Sequence, residues 1–316
     1  MPASRKCAAV PAPAAPAERA ARPIGIHLSI AGGVHHALEA AFALRCPTVQ
    51  IFVKNQRQWR AAPFDPLDVA RWHVLRQRPG FGPVVAHATY LINLAAESAA
   101  LYEQSRAAFT EELLRCRTLA ISYLVVHPGS AGELSRNVAC ARVAETLDRC
   151  FERYDAAESG LEPAPVMPLL ELTAGQGRAL GSRFDELAEI IGRVRDPRRV
   201  GVCIDSCHAF SAGWDIRRPE VYGEMIAEAA GSVGLERVRC WHLNDSKTEC
   251  GSRVDRHEHI GRGRIGMAGF RQILGDPRFR GVPMILETPK EADAAGRDMD
   301  RVNLRRVRAL AARCGR

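Results

Sequence analysis

Eight short apolar segments recur along the 316-residue chain, with room for one helix between successive segments. The intervening stretches carry apolar residues at helical spacing, most clearly in 34–45, 108–120 and 184–194. This alternation is typical of β/α units, and neither a sequence repeat nor a Gly/Ser-rich linker divides the chain. The candidate strands are 24–28, 48–53, 83–88, 121–127, 166–172, 200–205, 237–243 and 283–287. We predict an α/β fold, a single (β/α)8 barrel over residues 23–316.

The first 22 residues differ from the rest of the chain, being rich in Ala and Pro and carrying several basic residues. This segment lacks the apolar core of a secretory signal, and its composition cannot bury a hydrophobic core of its own. It is therefore predicted to be a disordered basic tail that precedes the barrel.

Composition limits the class of protein without deciding its function. The net charge of +8 favours a polyanionic partner. Only four of the 44 basic residues are lysine, however, and an arginine-rich chain also arises from genome composition. No apolar stretch approaches the roughly 18 residues of a membrane span. The ten cysteines form no C-x-x-C pair and are predicted to be reduced and structural, which is typical of a cytoplasmic protein.

Polar side chains stand where the predicted strands end. Because barrel active sites are built at the carboxyl ends of the strands, these side chains should converge on one face. Any one of them alone is explained as well by a helix cap or a hydrogen-bonded boundary residue. Six imidazoles or carboxylates on successive strands instead favour a metal site. The residues in question are His27, Lys54 with Asn55, His87, His127, Glu171, Asp205, His242 and Glu287.

Two short motifs add further candidate ligands. In GVCIDSCHAF, His208 follows Asp205 by three residues, and in DRHEH, Asp255 and His257 alternate on an extended loop, with His259 beyond them. Imidazole and carboxylate without thiolate suit catalytic zinc, with manganese or iron as alternatives. The nine candidates exceed the four ligands of one zinc, so two or three metals are expected. They are His87, His127, Glu171, Asp205, His208, His242, Asp255, His257 and Glu287.

Clustered divalent ions stabilise the attacking and leaving oxygens of a phosphoryl displacement, so phosphodiester hydrolysis is the chemistry that such a site predicts. Three segments that follow strands are suited to touching nucleic acid. KNQRQWR (54–60) mixes cations, amides and a Trp, ATYLINL (88–94) offers Tyr90 and Leu91, and TAGQG (173–177) permits close backbone approach. Arginine and apolar wedges of this kind can enter a minor groove.

Several longer motifs, taken in order, resemble those of the endonuclease IV family of apurinic/apyrimidinic endonucleases. They are HATYLINL, VVHPGS, ELTAGQG, GVCIDSCHAFSAGWDIR, WHLNDSK, GSRVDRHEHIGRGRIG and ILETP, preceded by GIHLSIAGG and KNQRQW. The resemblance covers about residues 24–290. It implies a TIM barrel with three Zn²⁺ ions, Mn²⁺ or Fe²⁺ being possible at some positions. It also implies incision of DNA 5′ to an abasic site, leaving a 3′-hydroxyl and a 5′-deoxyribose phosphate.

The resemblance also implies roles for individual residues. His87 and His127 would hold one zinc, and Glu171 would bridge it to a second while assisting catalysis. Asp205, His242 and Glu287 would complete the second site. His208, Asp255 and His257 would hold the third. Arg57, Tyr90 and Leu91 would contact the DNA. One departure is Leu172, where the family usually has Asn, which puts support for Glu171 in doubt.

The partner implied is double-stranded DNA with abasic or 3′-blocked lesions, bound by a monomer associated with the nucleoid and not with a membrane. Two alternatives remain. Glu, Asp and His at strand ends also suit a divalent-metal sugar isomerase or epimerase on a related barrel, although such an enzyme does not need the extra pair Asp255 and His257. A non-enzymatic protein that binds damaged DNA would be favoured if ligands were missing.

Overall fold

Eight parallel strands close into a barrel in the computed structural model, which describes residues 22–157, 165–292 and 295–314. Around the barrel the order is β1-β10-β7-β6-β5-β4-β3-β2, so chain neighbours are also neighbours in space. The strands are β1 (Ile24–Leu28), β2 (Val49–Phe52), β3 (Val84–His87), β4 (Tyr123–Val126), β5 (Met167–Glu171), β6 (Gly201–Asp205), β7 (Val238–His242) and β10 (Met284–Leu286). Each falls within a predicted apolar segment, and the predicted barrel is confirmed.

Helices fill the connections between the strands. They are α1 (His35–Ala43), α2 (Pro66–Arg76), α3 (Ala99–Thr118), α4 (Arg136–Ala156), α5 (Phe184–Arg193), α6 (Ser206–Ala212), α7 (Pro219–Ser232), α8 (Gly266–Gly275) and α9 (Met299–Cys314). Side chains of Asp65, Ser98 and Ser135 begin α2, α3 and α4 by accepting hydrogen bonds from free backbone N–H groups. The predicted helical segment 108–120 is the second half of the longer α3.

The barrel interior contains a small apolar layer that is separate from the main core between strands and helices. It consists of Val85, Val125, Leu169, Cys203, Cys240 and Ile285, all fully buried. Each of these residues lies two positions before a predicted metal ligand. Because alternate residues of a strand point to the same face, the ligands are directed into the barrel directly above this apolar layer.

Two features lie outside the barrel. The two-residue strands β8 (Asp245–Ser246) and β9 (His257–Glu258) pair antiparallel at the carboxyl ends of the barrel strands. At the opposite end, Arg22 donates from Nη2 to the carbonyl of Asp276 at 2.7 Å. The rest of the predicted tail, residues 1–21, lies outside the described residues. Within the described residues, no helix is both long and apolar enough to cross a membrane. The nine cysteines of the described residues are free thiols.

Candidate metal centre

Glu171 ends β5 at the centre of the site, fully buried, with both carboxylate oxygens facing imidazoles. Its Oε2 lies 3.1 Å from Nε2 of His87 and 3.1 Å from Nε2 of His127. Its Oε1 lies 3.0 Å from Nδ1 of His242 and 3.2 Å from Nδ1 of His208. The carboxylate therefore joins three groups of side chains that come from strand ends, from α6 and from a loop.

A second group surrounds Nδ1 of His242, at the end of β7. This nitrogen lies 3.2 Å from Oε2 of Glu287 and 3.8 Å from Oδ2 of Asp205. Asp205 also caps α6, because its Oδ1 accepts a hydrogen bond of 2.8 Å from the backbone N–H of His208. The capping interpretation and the ligand interpretation of Asp205 are thus compatible, since each uses a different oxygen.

The third group contains Asp255 and His257 from the DRHEH loop, together with His208 from α6. Asp255 places Oδ2 3.1 Å from Nε2 of His208 and Oδ1 3.2 Å from Nε2 of His257. His259, the other histidine of the motif, belongs elsewhere. It is buried under α9, with Nδ1 3.0 Å from the side-chain amide of Asn303.

The donor sets fit divalent metal ions. Nε2 of His208 and Nε2 of His257 are buried, and neither has a hydrogen-bond partner. An Asp255 oxygen nevertheless lies 3.1 Å from the first nitrogen and 3.2 Å from the second. Buried polar atoms are normally satisfied, so two unpartnered nitrogens facing one carboxylate fit a shared divalent cation. One triad is His87, His127 and Glu171, and another is His208, Asp255 and His257; the ligand atoms within each lie within 4.8 Å of one another.

Three of the imidazoles are oriented by a hydrogen bond between Nδ1 and a backbone carbonyl. His87 donates from Nδ1 to the carbonyl of Ala88 at 2.7 Å, and His208 from Nδ1 to the carbonyl of Leu172 at 2.9 Å. His257 makes the corresponding bond to the carbonyl of Glu287 at 3.2 Å. A carbonyl can only accept, so Nδ1 of each ring carries a proton and Nε2 is the nitrogen that a metal would take.

The pKa values of the site residues are set by the same pairs of imidazoles and carboxylates. Burial alone would raise the pKa of the Glu171 carboxyl, but the imidazoles of His242 and His127 hold it well below its usual range. Burial alone would lower the pKa of His257, but Asp255 and Asp205 raise it to about 9. The pKa of His208 is raised in the same way by Asp205 and Asp255. The Glu171 carboxyl is therefore ionised, and the carboxylates beside these histidines favour positive charge next to them.

Three further side chains organise the centre, and sequence reasoning missed them. Gln50 and Asn244 are fully buried and form hydrogen bonds with candidate ligands. Asn244 donates from Nδ2 to Oδ2 of Asp205 at 2.5 Å. Asp245 accepts hydrogen bonds from the backbone N–H groups of residues 261, 263, 265 and 266, at 2.8 to 3.2 Å. It thereby holds the loop that follows β9. For Gln50, the available signal is a polar residue inside an otherwise apolar predicted strand, TVQIFV (48–53).

Of the three predicted DNA-contacting residues, Tyr90 lines a cavity at the site, whereas Leu91 and Arg57 lie on the loops after β3 and β2. A cavity of about 280 Å³ lies over the first triad, lined in part by His127, Tyr90 and the loop 173–176. Tyr90 is 62% exposed and packs its ring against Phe52, with centroids 5.7 Å apart. Leu91 is half-buried beside it, and Arg57 is exposed on the loop after β2.

Lys54 behaves differently from the rest of the KNQRQWR segment. It is 2% exposed, and its ammonium group donates to the carbonyl of Trp59 at 2.9 Å and lies 3.3 Å from Glu112. Burial of the aliphatic stem and pairing of the charge make it a support for the loop. This lysine is therefore not available to contact nucleic acid, whereas Arg57 of the same segment is exposed.

Comparison with known proteins identifies the relatives of this chain. A family model described as "Xylose isomerase-like TIM barrel" matches residues 38–306. A protein of Chloroflexus aurantiacus named "Probable endonuclease 4" is 46% identical over 286 residues, covering 90% of this chain and 97% of the relative. Endonuclease IV of Thermus thermophilus superposes with a TM-score of 0.79 at 38% identity, covering 92% of this chain and 99% of that one. The chain belongs to the endonuclease IV family.

Membership of the endonuclease IV family separates this chain from the sugar enzymes of similar fold. A D-tagatose 3-epimerase-like protein covers 92% of the chain with a TM-score of 0.66, but at only 17% identity. That likeness extends to the barrel alone. The sugar isomerase or epimerase alternative is therefore not favoured.

The departure from the family pattern at Leu172 has a structural explanation. The Leu172 side chain is fully buried in the main hydrophobic core, while its backbone carbonyl accepts the hydrogen bond from His208. Because the contact with the site is made by the backbone, it does not depend on the side chain at this position. Leu172 is compatible with the ligand arrangement seen in this endonuclease IV family member.

Proposed function

We propose that this protein is a metal-dependent apurinic/apyrimidinic endonuclease of DNA base excision repair. It hydrolyses the phosphodiester 5′ to an abasic site and leaves a 3′-hydroxyl and a 5′-deoxyribose phosphate. The observation that carries the proposal is the convergence of nine imidazole and carboxylate side chains in three groups joined by Glu171. Each group offers the N and O donors of a catalytic zinc site, so three Zn²⁺ ions are proposed.

In this proposal His87, His127 and Glu171 hold the first ion, and Glu171, Asp205, His242 and Glu287 hold the second. His208, Asp255 and His257 hold the third. Zinc held by these residues would supply Lewis-acid chemistry, polarising a phosphoryl oxygen and lowering the pKa of a water molecule. As a buried carboxylate at the centre of the site, Glu171 is placed to orient the attacking water or to take up its proton.

The proposed substrate is double-stranded DNA, including DNA with a blocked 3′ end, bound by one copy of the chain. Tyr90 lines the cavity and Leu91 follows it in the chain, so these two side chains are suited to act as an apolar wedge that separates base steps. An abasic nucleotide is extruded at low cost because it has no base pair to break. Arg57 is an exposed cation on the neighbouring loop and is suited to contacting phosphate or the groove.

The decisive experiment is incision of a duplex oligonucleotide that carries one tetrahydrofuran abasic analogue. We expect cutting immediately 5′ to the analogue by metal-replete protein, its loss after prolonged chelation, and its return when zinc is added back. The same duplex without the analogue is the control and should remain intact. Failure of metal-replete protein to cut the analogue would refute the proposed function.

The DNA-contacting role of Arg57 has its own test. Arg57→Ala should weaken binding of the analogue-containing duplex and reduce the slope of log affinity against log salt by about one, because one phosphate contact is lost. Arg198→Ala is the matched control, since Arg198 is exposed just before β6, at the opposite end of the barrel. An unchanged slope for Arg57→Ala would remove this residue from the DNA interface.

A further inference from the structure

The side-chain amide of Gln50 is buried inside the barrel. Its neighbours in the sequence are apolar. It lies in β2, is fully buried, and contacts residues of three other strands or strand ends. Its Oε1 lies 2.8 Å from Nε2 of His242. Its Nε2 lies 2.5 Å from Oε1 of Glu287 and 2.9 Å from Nδ1 of His27.

The chemistry of these neighbours fixes which way the amide points. The carboxylate of Glu287 can only accept a hydrogen bond, so it must face the NH₂ group of Gln50. The reverse orientation would place two oxygens against each other at 2.5 Å. With the NH₂ group donating to Glu287 and to Nδ1 of His27, the amide oxygen is left to accept from His242. Both amide protons and the carbonyl are then used.

This orientation assigns the atoms of two candidate ligands. Because Gln50 Oε1 accepts, Nε2 of His242 carries a proton, and Nδ1 is the nitrogen that remains to bind a metal. That Nδ1 faces Oε1 of Glu171 at 3.0 Å and Oε2 of Glu287 at 3.2 Å. Likewise Oε1 of Glu287 is occupied by Gln50, which directs Oε2 toward the same point.

We infer that Gln50 is a positioning residue that selects the donor atoms of the second metal site, Nδ1 of His242 and Oε2 of Glu287. The inference rests on the proposed metal-binding function and adds a residue that the ligand motifs do not contain. Outer partners of this kind orient metal ligands and typically change metal affinity about 10–100-fold when removed. Gln50 acts on both ligands at once from a rigid strand.

The first test is Gln50→Leu, which has similar volume and no hydrogen-bonding group. We expect one of the bound zinc ions to be released to a competing chelator at about 10–100-fold lower chelator concentration, with the others unaffected. Gln104→Leu, at an exposed position of α3, is the control and should match the unchanged protein. Unchanged release of all zinc from Gln50→Leu would overturn the inference.

A second variant separates positioning from folding. Gln50→Glu keeps the acceptor for His242 but replaces the donor to Glu287 with a repelling oxygen. Gln50→Glu should therefore also weaken the binding of one zinc ion. This variant tests the inference even if Gln50→Leu fails to fold. Long-range ¹H–¹⁵N spectra of histidine-labelled, zinc-loaded protein should show His242 protonated at Nε2 in the unchanged chain. A proton at Nδ1 of His242 there would overturn the inference.

These readouts are independent of DNA cleavage. Protein that binds zinc and shows the expected His242 tautomer but does not cut abasic DNA would refute the proposed function and leave the role of Gln50 standing. If the protein cuts abasic DNA but Gln50→Leu and Gln50→Glu retain all zinc ions normally, the role of Gln50 is refuted and the proposed function stands.

Discussion

Two layers inside the barrel are built by the same strands and obey different rules. The lower layer is apolar and contains Val85, Val125, Leu169, Cys203, Cys240 and Ile285. The upper layer begins two residues later on each strand and contains His87, His127, Glu171, Asp205, His242 and Glu287. A step of two residues returns a side chain to the same face, so one pleat separates a hydrophobic floor from a charged ring.

The difference shows what each layer requires of its residues. The floor needs volume and an apolar surface, which several side chains can supply. The ring needs particular atoms at particular distances, because a buried charge is tolerated only beside an opposite charge or hydrogen-bond partner. Substitutions in the floor should therefore change stability, and substitutions in the ring should change chemistry.

The largest expected effect is in the ring. Glu171→Gln removes the charge that joins the three groups but preserves the shape of the side chain, so incision of abasic DNA should fall by about 10³-fold or more. Circular dichroism and thermal unfolding of the metal-free protein should show the fold retained. A variant that cuts as fast as the unchanged enzyme would remove Glu171 from its assigned role.

The neighbouring floor position should behave in the opposite way. Leu169→Ala leaves a cavity two residues below Glu171 and should lower the free energy of unfolding by about 2–5 kcal/mol, as measured by urea denaturation. Zinc content of the folded fraction should be unchanged. If Leu169→Ala instead removed zinc without destabilising the chain, the two layers would not be separable.

A carboxylate at the far end of the barrel sharpens the contrast. Asp276 accepts hydrogen bonds from the Tyr222 hydroxyl at 2.9 Å and from Arg278 at 2.6 Å, so its positive partner is built into the protein. Burial by itself would raise the pKa of Asp276, but Arg278 and Tyr222 hold it below its usual value. Asp276→Asn should lower the free energy of unfolding by about 2 kcal/mol at neutral pH, independently of zinc.

The pH dependence of this effect has a definite sign. Because the pKa of Asp276 is depressed in the folded protein, its stabilisation is present above the unfolded value of about 3.9 and is lost as pH falls through the folded value. The difference in unfolding free energy between Asp276→Asn and the unchanged chain should therefore shrink below about pH 4. A difference that stays constant down to about pH 2 would contradict this interpretation.

The smallest effect is expected for the thiols of the floor. Cys203, Cys240 and His242 bring potential metal-binding atoms within 4.8 Å of one another, but we interpret both thiols as apolar filling. Cys240→Val should change the free energy of unfolding by less than about 1.5 kcal/mol and leave the zinc content unaltered. Loss of zinc from this variant would place the thiol among the ligands and blur the boundary between the layers.

The sequence by itself determined which residues enter the strands and which polar side chains end them, because both properties depend on local periodicity. All eight strands follow from this periodicity, and the nine candidate ligands lie together at one end of the barrel. The sequence also indicated the family through ordered motifs, which is why the fold and the general chemistry could be predicted before any contact was known.

Tertiary structure alone decided how those side chains are supported by residues elsewhere in the chain. Gln50 contacts His242 across 192 residues of chain, and this contact exists only because the barrel closes. The burial of Lys54 and the capture of the 261–266 loop by Asp245 depend in the same way on distant partners. Local pattern cannot reveal such partners, since the free energy of a buried polar group depends on what surrounds it in space.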